Sequence, residues 1–335
     1  MSHSNSSLNC FANCMAKYNH SYILHTPPCK PVSPHLTFGV MAHDVLYKAG
    51  KLRDEYEDGV AEGYHSIIPS EVLYSDLKDT FKINNWEQYF VPVIKQTAEY
   101  EQQCVHDLIE TQSGPITVER EIKLQVTVEQ LHKMGFTKIH QPIVGIIDCL
   151  IYTPTYAVIL DYKFSSTRKS QDDFDINSQL PLYAFFIHTL YNIPLINIRY
   201  GYIDIPKQSL DKPALLSNGT ISRAKSQNVS QKMYEAAVKL VHGDDAYYNC
   251  KPNGYYYDCW CQMALNKAAY LSIQWLDLEV YNGVIRDLLD AAEMIDIMTE
   301  SKMPFLHKYD SYSCKSCEYL TACKPWLEVG DKWNG

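Results

Sequence analysis

No apolar run in the 335-residue chain approaches the roughly 18 residues that cross a membrane. The opening MSHSNSSLNC has neither the basic stretch nor the apolar core of a secretory leader. A soluble, cytoplasmic protein in a reducing compartment is expected, where eleven cysteines are poor evidence for disulfides and their clustering matters more than their number. Positive charge is also scarce: 30 Lys and Arg face 39 Asp and Glu, a formal charge of −9. That excludes a protein that grips nucleic acid by bulk attraction, so any phosphate site must be local. Solenoid-type repeats are absent. What is present is a 46% hydrophobic composition, enough for one large or two small cored domains.

The first 36 residues are polar and broken by Pro27, Pro28, Pro31 and Pro34, so regular structure is not expected there. From Gly39 to about Asp58, Val40, Leu46, Ala49 and Leu52 oppose a charged face and predict an amphipathic helix carrying His43. A second helix is expected from about Trp86 to Ile109, and alternation from Ile116 to Leu131 predicts a half-buried strand. The runs IVGIIDCLIY and AVILDYKF flank the turn Thr153-Pro154-Thr155-Tyr156 and predict a β-hairpin in which Asp148 faces Asp161. Period-2 geometry puts Asp161 and Lys163 on one face. A basic loop (Arg168, Lys169) leads to a helix over about Asn177 to Tyr191, and INIRYGYIDI is another strand. Residues 206–275 read as a polar insertion with one helix capped by Asn228. A long helix, about Leu276 to Lys302, precedes a Cys-rich tail.

Two carboxylates facing each other across a hairpin repel, and the neighbouring residues are so apolar that both faces of the strands read as buried. A divalent cation relieves the repulsion, because carboxylate oxygens are the hard ligands that Mg²⁺ or Mn²⁺ prefers. The ligands would be Asp148, Asp161 and the Tyr162 carbonyl, with Lys163 placed to orient an attacking water. That chemistry is phosphodiester hydrolysis. The alternative is two solvated carboxylates beside an ordinary surface lysine, since Asp-Tyr-Lys is a common tripeptide.

Gly145-x-x-Asp148 followed by Asp161-x-Lys163 resembles the core of the PD-(D/E)XK nuclease superfamily. Gly39-x-x-x-His43 and Gln179-x-x-x-Tyr183 resemble its RecB-like branch. Ile147 stands where the signature has proline, and the second acid is Asp. The resemblance implies an α/β restriction-endonuclease-like core, a central mixed sheet flanked by helices. It also implies His43 as a third metal ligand, and Gln179 and Tyr183 as residues that position DNA and the catalytic groups. With Arg168 and Lys169 they would form the nucleic-acid contacts.

Cys314-x-x-Cys317-x5-Cys323 brings three soft ligands together. The spacing is similar to that of the iron–sulfur RecB-like nucleases, including CRISPR-associated and AddB-type proteins. It implies a [4Fe–4S] cluster completed by an N-terminal cysteine, with Cys29 the expected fourth ligand and Cys10 and Cys14 as competitors. Structural zinc and three unrelated thiols are the alternatives. Cys250, Cys259 and Cys261 read as part of a packed or base-stacking loop.

The expected organisation is an irregular segment 1–36 supplying one cluster ligand, a nuclease core 37–205, an insertion 206–275 and a C-terminal helix with the cysteine cluster, 276–335. The expected function is a Mg²⁺- or Mn²⁺-dependent deoxyribonuclease, an exonuclease on single-stranded or frayed DNA in replication, recombination or repair. A helicase or recombination partner, and an oligomer, are compatible with it. The rival readings are a catalytically idle nuclease-fold subunit and an RNA endonuclease.

Overall fold

The computed structural model describes residues 2–30, 39–40, 42–44, 46–51, 87–111, 115–165, 170–206, 213–227, 229–243, 250–264, 266, 269–306 and 311–323, with the backbone alone for 87–96, 165, 206 and 311–313. Arg168, Lys169, Leu52 and Asn228 lie outside the described residues. In chain order come β1 (His3–Ser4), α1 (Asn5–Asn13), α2 (Met15–Tyr18) and a π-helical turn, Asn19–Ile23. The described residues between 39 and 51 are helical. They are followed by α3 (Glu87–Glu110), β2 (Thr117–Val126), α4 (Val128–Lys133), β3 (Ile143–Thr153), β4 (Tyr156–Ser165), α5 (Gln171–Asp175) and α6 (Gln179–Tyr191). The remainder is β5 (Ile198–Pro206), α7 (Gln231–His242), α8 (Tyr257–Met263), β6 (Tyr270–Trp275), α9 (Leu278–Glu300) and α10 (Ser311–Ser316).

The hairpin is the centre of a mixed six-stranded sheet. Pro154 sets the turn, and β3 and β4 pair from Thr153↔Tyr156 to Cys149↔Leu160, the register read from the sequence. Beyond that rung the two strands part. β4 continues beside β5, in parallel as far as Ser165↔Pro206, while β3 continues beside β2 as far as Val126↔Ile143. A strand has two edges, and β2 holds one edge of β3. The parallel β1, paired His3↔Ile143 and Ser4↔Val144, therefore enters the fork on the side that β4 has left. Asp148 and Asp161 stand one position past the last β3–β4 rung, at the crotch of this fork.

Two apolar clusters, one on each face, hold the sheet. Segment 39–51, α3, α7 and α8 cover one face through Leu46, Ala49, Val105, Met233 and Met263; α1, α6 and α9 cover the other through Leu8, Phe11, Phe186, Leu289 and Ile295. α6 is apolar nearly all round, as expected of a helix buried on every side (Leu180 to Ile187).

Several elements differ from expectation. The N-terminal segment is helical, not irregular: Ser4 and Ser7 form a reciprocal capping box, and Leu8 and Phe11 are buried. Its prolines begin only at Pro27, after the helices have ended. The strand expected to reach Leu131 stops at Val126, because Thr127 and Gln130 form another capping box that starts α4. Ser230 caps α7, its hydroxyl accepting from the Met233 N–H. Val40, expected on the buried face of its helix, is 64% exposed.

Candidate active site

The fork gives Asp148 an unusual backbone partner. Where the ladder stops, its Oδ2 accepts the Tyr162 N–H at 2.7 Å, a charge-assisted bond across the gap. Its Oδ1 lies 3.3 Å from Nδ1 of His43. Burial pushes the His43 imidazole down, but the hydrogen bond and charge of Asp148, with the charge of Asp161, outweigh it and leave the ring more basic than usual.

Asp161 is 1% exposed. Burial lifts its carboxyl to about 6, with Lys163 opposing the rise and Asp148 adding to it. Lys163 lies on the same strand face: Nζ is 2.6 Å from Asp161 Oδ2 and donates to Oε1 of Gln179 at 2.8 Å. Gln179 Nε2 donates in turn to the Tyr183 hydroxyl at 2.6 Å. Burial, and then the Asp161 charge, push the Tyr183 phenol far above its ordinary value, so it stays neutral. The relay Asp161–Lys163–Gln179–Tyr183 thus fixes the lysine's direction. Asn177 holds the start of α6 by accepting the N–H groups of Gln179 and Leu180. Gly145 lets that helix lie directly on β3, since a Cβ there would stand 2.6 Å from the Phe186 ring and 3.3 Å from Tyr183.

Beneath the site lies a buried triad. Arg120 donates to Glu101 (2.8 Å) and to the Tyr162 hydroxyl (3.2 Å), and Tyr162 donates to the same Glu101 oxygen (2.9 Å). It pins α3, β2 and β4 together and so fixes the Tyr162 N–H that holds Asp148. Gly50 makes room for it, because a Cβ there would overlap the Arg120 guanidinium.

One residue escaped the sequence reading. Glu121 falls at the rung opposite Asp148, between Arg120↔Cys149 and Ile122↔Ile147, with φ +46°. At this rung the strands exchange faces: Val118 and Cys149 join one apolar cluster, whereas Ile122 and Ile147 join the other. Burial, and then the Asp148 charge, raise the Glu121 carboxyl. It is a third acid at the site, and the residue pattern of β2 does not announce it, since Val118, Ile122, Leu124 and Val126 keep one parity throughout.

The chain ends meet elsewhere. The Cys29 N–H donates to Glu318 (2.7 Å), Lys17 pairs with Glu318 (3.1 Å), and His20 stacks on Tyr319. Burial, with smaller contributions from Cys317, Cys14 and Cys314, raises the Cys323 thiol to about 11. Cys10 is raised to about 11 by burial, with Cys14 and Cys317 among its acidic neighbours. Cys29 is exposed, its thiol held by the Thr321 hydroxyl and lowered by it. Cys250 and Cys259 are buried, and Cys259 donates to the Arg223 carbonyl.

As the described side chains stand, no three His, Cys, Asp or Glu converge on a shared metal position. The donor chemistry nonetheless suits two kinds of metal. Asp161 Oδ2 is buried and, apart from its ion pair with Lys163, has no hydrogen-bond partner among the described residues. It faces a second carboxylate and an imidazole, a hard-donor set. The thiols drawn from both chain ends are a soft one.

A mixed sheet splayed at a pair of acids, with a lysine on the same strand as one of them, is the arrangement of a nuclease-type α/β core. The chain belongs to the PD-(D/E)XK nuclease superfamily, whose family model matches residues 2–324. Among solved structures it is similar to a crystal structure from Eubacterium rectale named "Putative exonuclease", at 9% identity and TM-score 0.41, over 96% of this chain and 87% of that one. Comparison with curated proteins gives no match.

Proposed function

We propose that this nuclease is a Mg²⁺- or Mn²⁺-dependent deoxyribonuclease that trims single-stranded or frayed DNA ends. The observation that carries the reading is Lys163, locked between Asp161 and Gln179 in a fork whose opposite wall presents Asp148 and His43. His43, Asp148, Asp161 and the Tyr162 carbonyl would hold the cation, which when bound polarises a phosphoryl oxygen and lowers the pKa of a ligated water. Lys163 orients that water and offsets charge at the phosphate, and Gln179 and Tyr183 keep the ammonium aimed. A helicase or recombination partner that delivers an opened end suits a site recessed in this way.

An iron–sulfur cluster on Cys314, Cys317 and Cys323 would clasp the two chain ends. Cys29, whose N–H donates to the Glu318 carbonyl next to Cys317, is the proposed fourth ligand, and Cys10 and Cys14 are the competitors. Iron and sulfide analysis of anaerobically purified protein decides: Cys29→Ser should lose the cluster, and Cys10→Ser and Cys14→Ser keep it. Zinc without iron overturns the cluster.

The activity is tested on 5′- and 3′-labelled DNA and RNA with Mg²⁺ or Mn²⁺. Cleavage of DNA, reduced at least 10²-fold in Lys163→Ala, supports the reading. Inert wild-type protein, or an unaffected Lys163→Ala, overturns it, and preference for RNA transfers the site to ribonuclease chemistry.

A further inference from the structure

Beside the catalytic relay lies a groove of about 500 Å³. It shares Gln179 and Tyr183 with the relay and continues away from it past Ile146, Lys123 and Gln125 to Asn5 at the start of α1. Whatever fills it abuts whatever Lys163 acts upon.

The lining is selective. The chain carries 39 acidic residues against 30 basic ones, yet among the described residues no carboxylate lines this groove. The one cation among the described lining residues, Lys123, makes no hydrogen bond or ion pair with another described residue. Gln125, Asn5 and the neighbouring serines supply amides and hydroxyls. Ile146, two residues before Asp148, is 47% exposed, a large aliphatic side chain left in solvent at the rim of a charged site. An anion with an apolar flank fits this lining, which describes a nucleotide: phosphate toward Lys123, sugar and base edges toward the amides, a ring face toward Ile146. The volume falls in the 300–1,000 Å³ range of single-ligand sites, room for one or two nucleotides of a lone strand.

We infer that this groove binds the nucleotides next to the scissile phosphate and selects unpaired strands, with Lys123 as the phosphate contact and Ile146 as the wedge that bars a pairing partner. The inference rests on the nuclease reading above and is tested so that the two can fail separately. Binding of a fluorescent single-stranded oligonucleotide is measured against salt in Ca²⁺, and cleavage of single- and double-stranded DNA is measured in Mg²⁺. Lys123→Ala should raise KM about tenfold with kcat little changed, the worth of one charge-assisted contact. The slope of log affinity against log salt should become shallower by about 0.7. Lys123→Arg should restore both, and Ile146→Ala should narrow the preference for single strands. Both positions are exposed, and thermal melting confirms that each variant folds.

A wild-type enzyme that cleaves while Lys123→Ala and Ile146→Ala keep its KM, salt slope and strand preference overturns the groove and leaves the nuclease standing. Binding without cleavage, weakened by Lys123→Ala with the shallower slope, keeps the groove and overturns the nuclease. Protein that neither binds nor cleaves overturns both.

Discussion

Glu121 shows how the site sets one residue against its backbone. A side chain at φ +46° in the middle of a strand costs on the order of 1 kcal/mol, and its carboxylate is placed next to Asp148. Glu121→Gly should therefore melt no lower than the wild type, and stabilise by up to about 1 kcal/mol in urea titration, while cleavage slows. Loss of stability together with unchanged turnover would show the residue to be structural. The same rung explains what the sequence hides. Alternation reads β2 correctly on either side of Glu121, but the exchange of faces comes from one backbone dihedral that no residue type announces. Lys163, by contrast, is legible because Asp161 and Lys163 are two apart on a strand whose register Pro154 fixes.

At the scale of elements, the hairpin and the buried helix α6 are plain in the sequence because their signals are local: a proline turn between apolar runs, and a continuous apolar stretch. The N-terminal helices are not. Asn5–Asn13 contains three asparagines and two serines, residues that favour caps and turns over helix interiors. Its stability comes from Leu8 and Phe11 packing in the same cluster as α9, nearly 300 residues further on. The ring of Phe11 also meets Tyr18 and Phe305 edge-on, at 5.6 and 6.3 Å. Phe11→Ala should cost about 3–5 kcal/mol in chemical denaturation. Because Ser4 and Asn5 line the groove beside the relay, it should also raise KM for single-stranded DNA. A variant that loses stability with KM intact would show that α1 does not shape the groove.

Across the whole molecule, Asp296 of α9 gathers two distant segments. Its Oδ1 meets Nε2 of His3 at 3.1 Å, and its Oδ2 accepts the N–H groups of His140 (2.7 Å) and Gln141 (3.2 Å). Burial alone would raise the carboxyl, but these bonds outweigh it and hold it below the ordinary carboxylate range. A depressed carboxyl adds stability above its unfolded pKa of about 4 and loses it as pH falls through the lower folded value. Melting temperature should therefore fall between pH 5 and 3 more steeply in the wild type than in Asp296→Asn, which starts lower at pH 5. Parallel profiles would assign the acid sensitivity to other groups.

The fork filled by β1 also has a consequence in time. The ribosome makes His3 and Ser4 about 140 residues before their partners Ile143 and Val144, and nearly 300 before the Asp296 of α9 that secures His3. Synthesis at about 5–20 residues per second leaves this segment waiting for tens of seconds. A nuclease is thus made next to messenger RNA with one wall of its groove undocked until α9 has been synthesised.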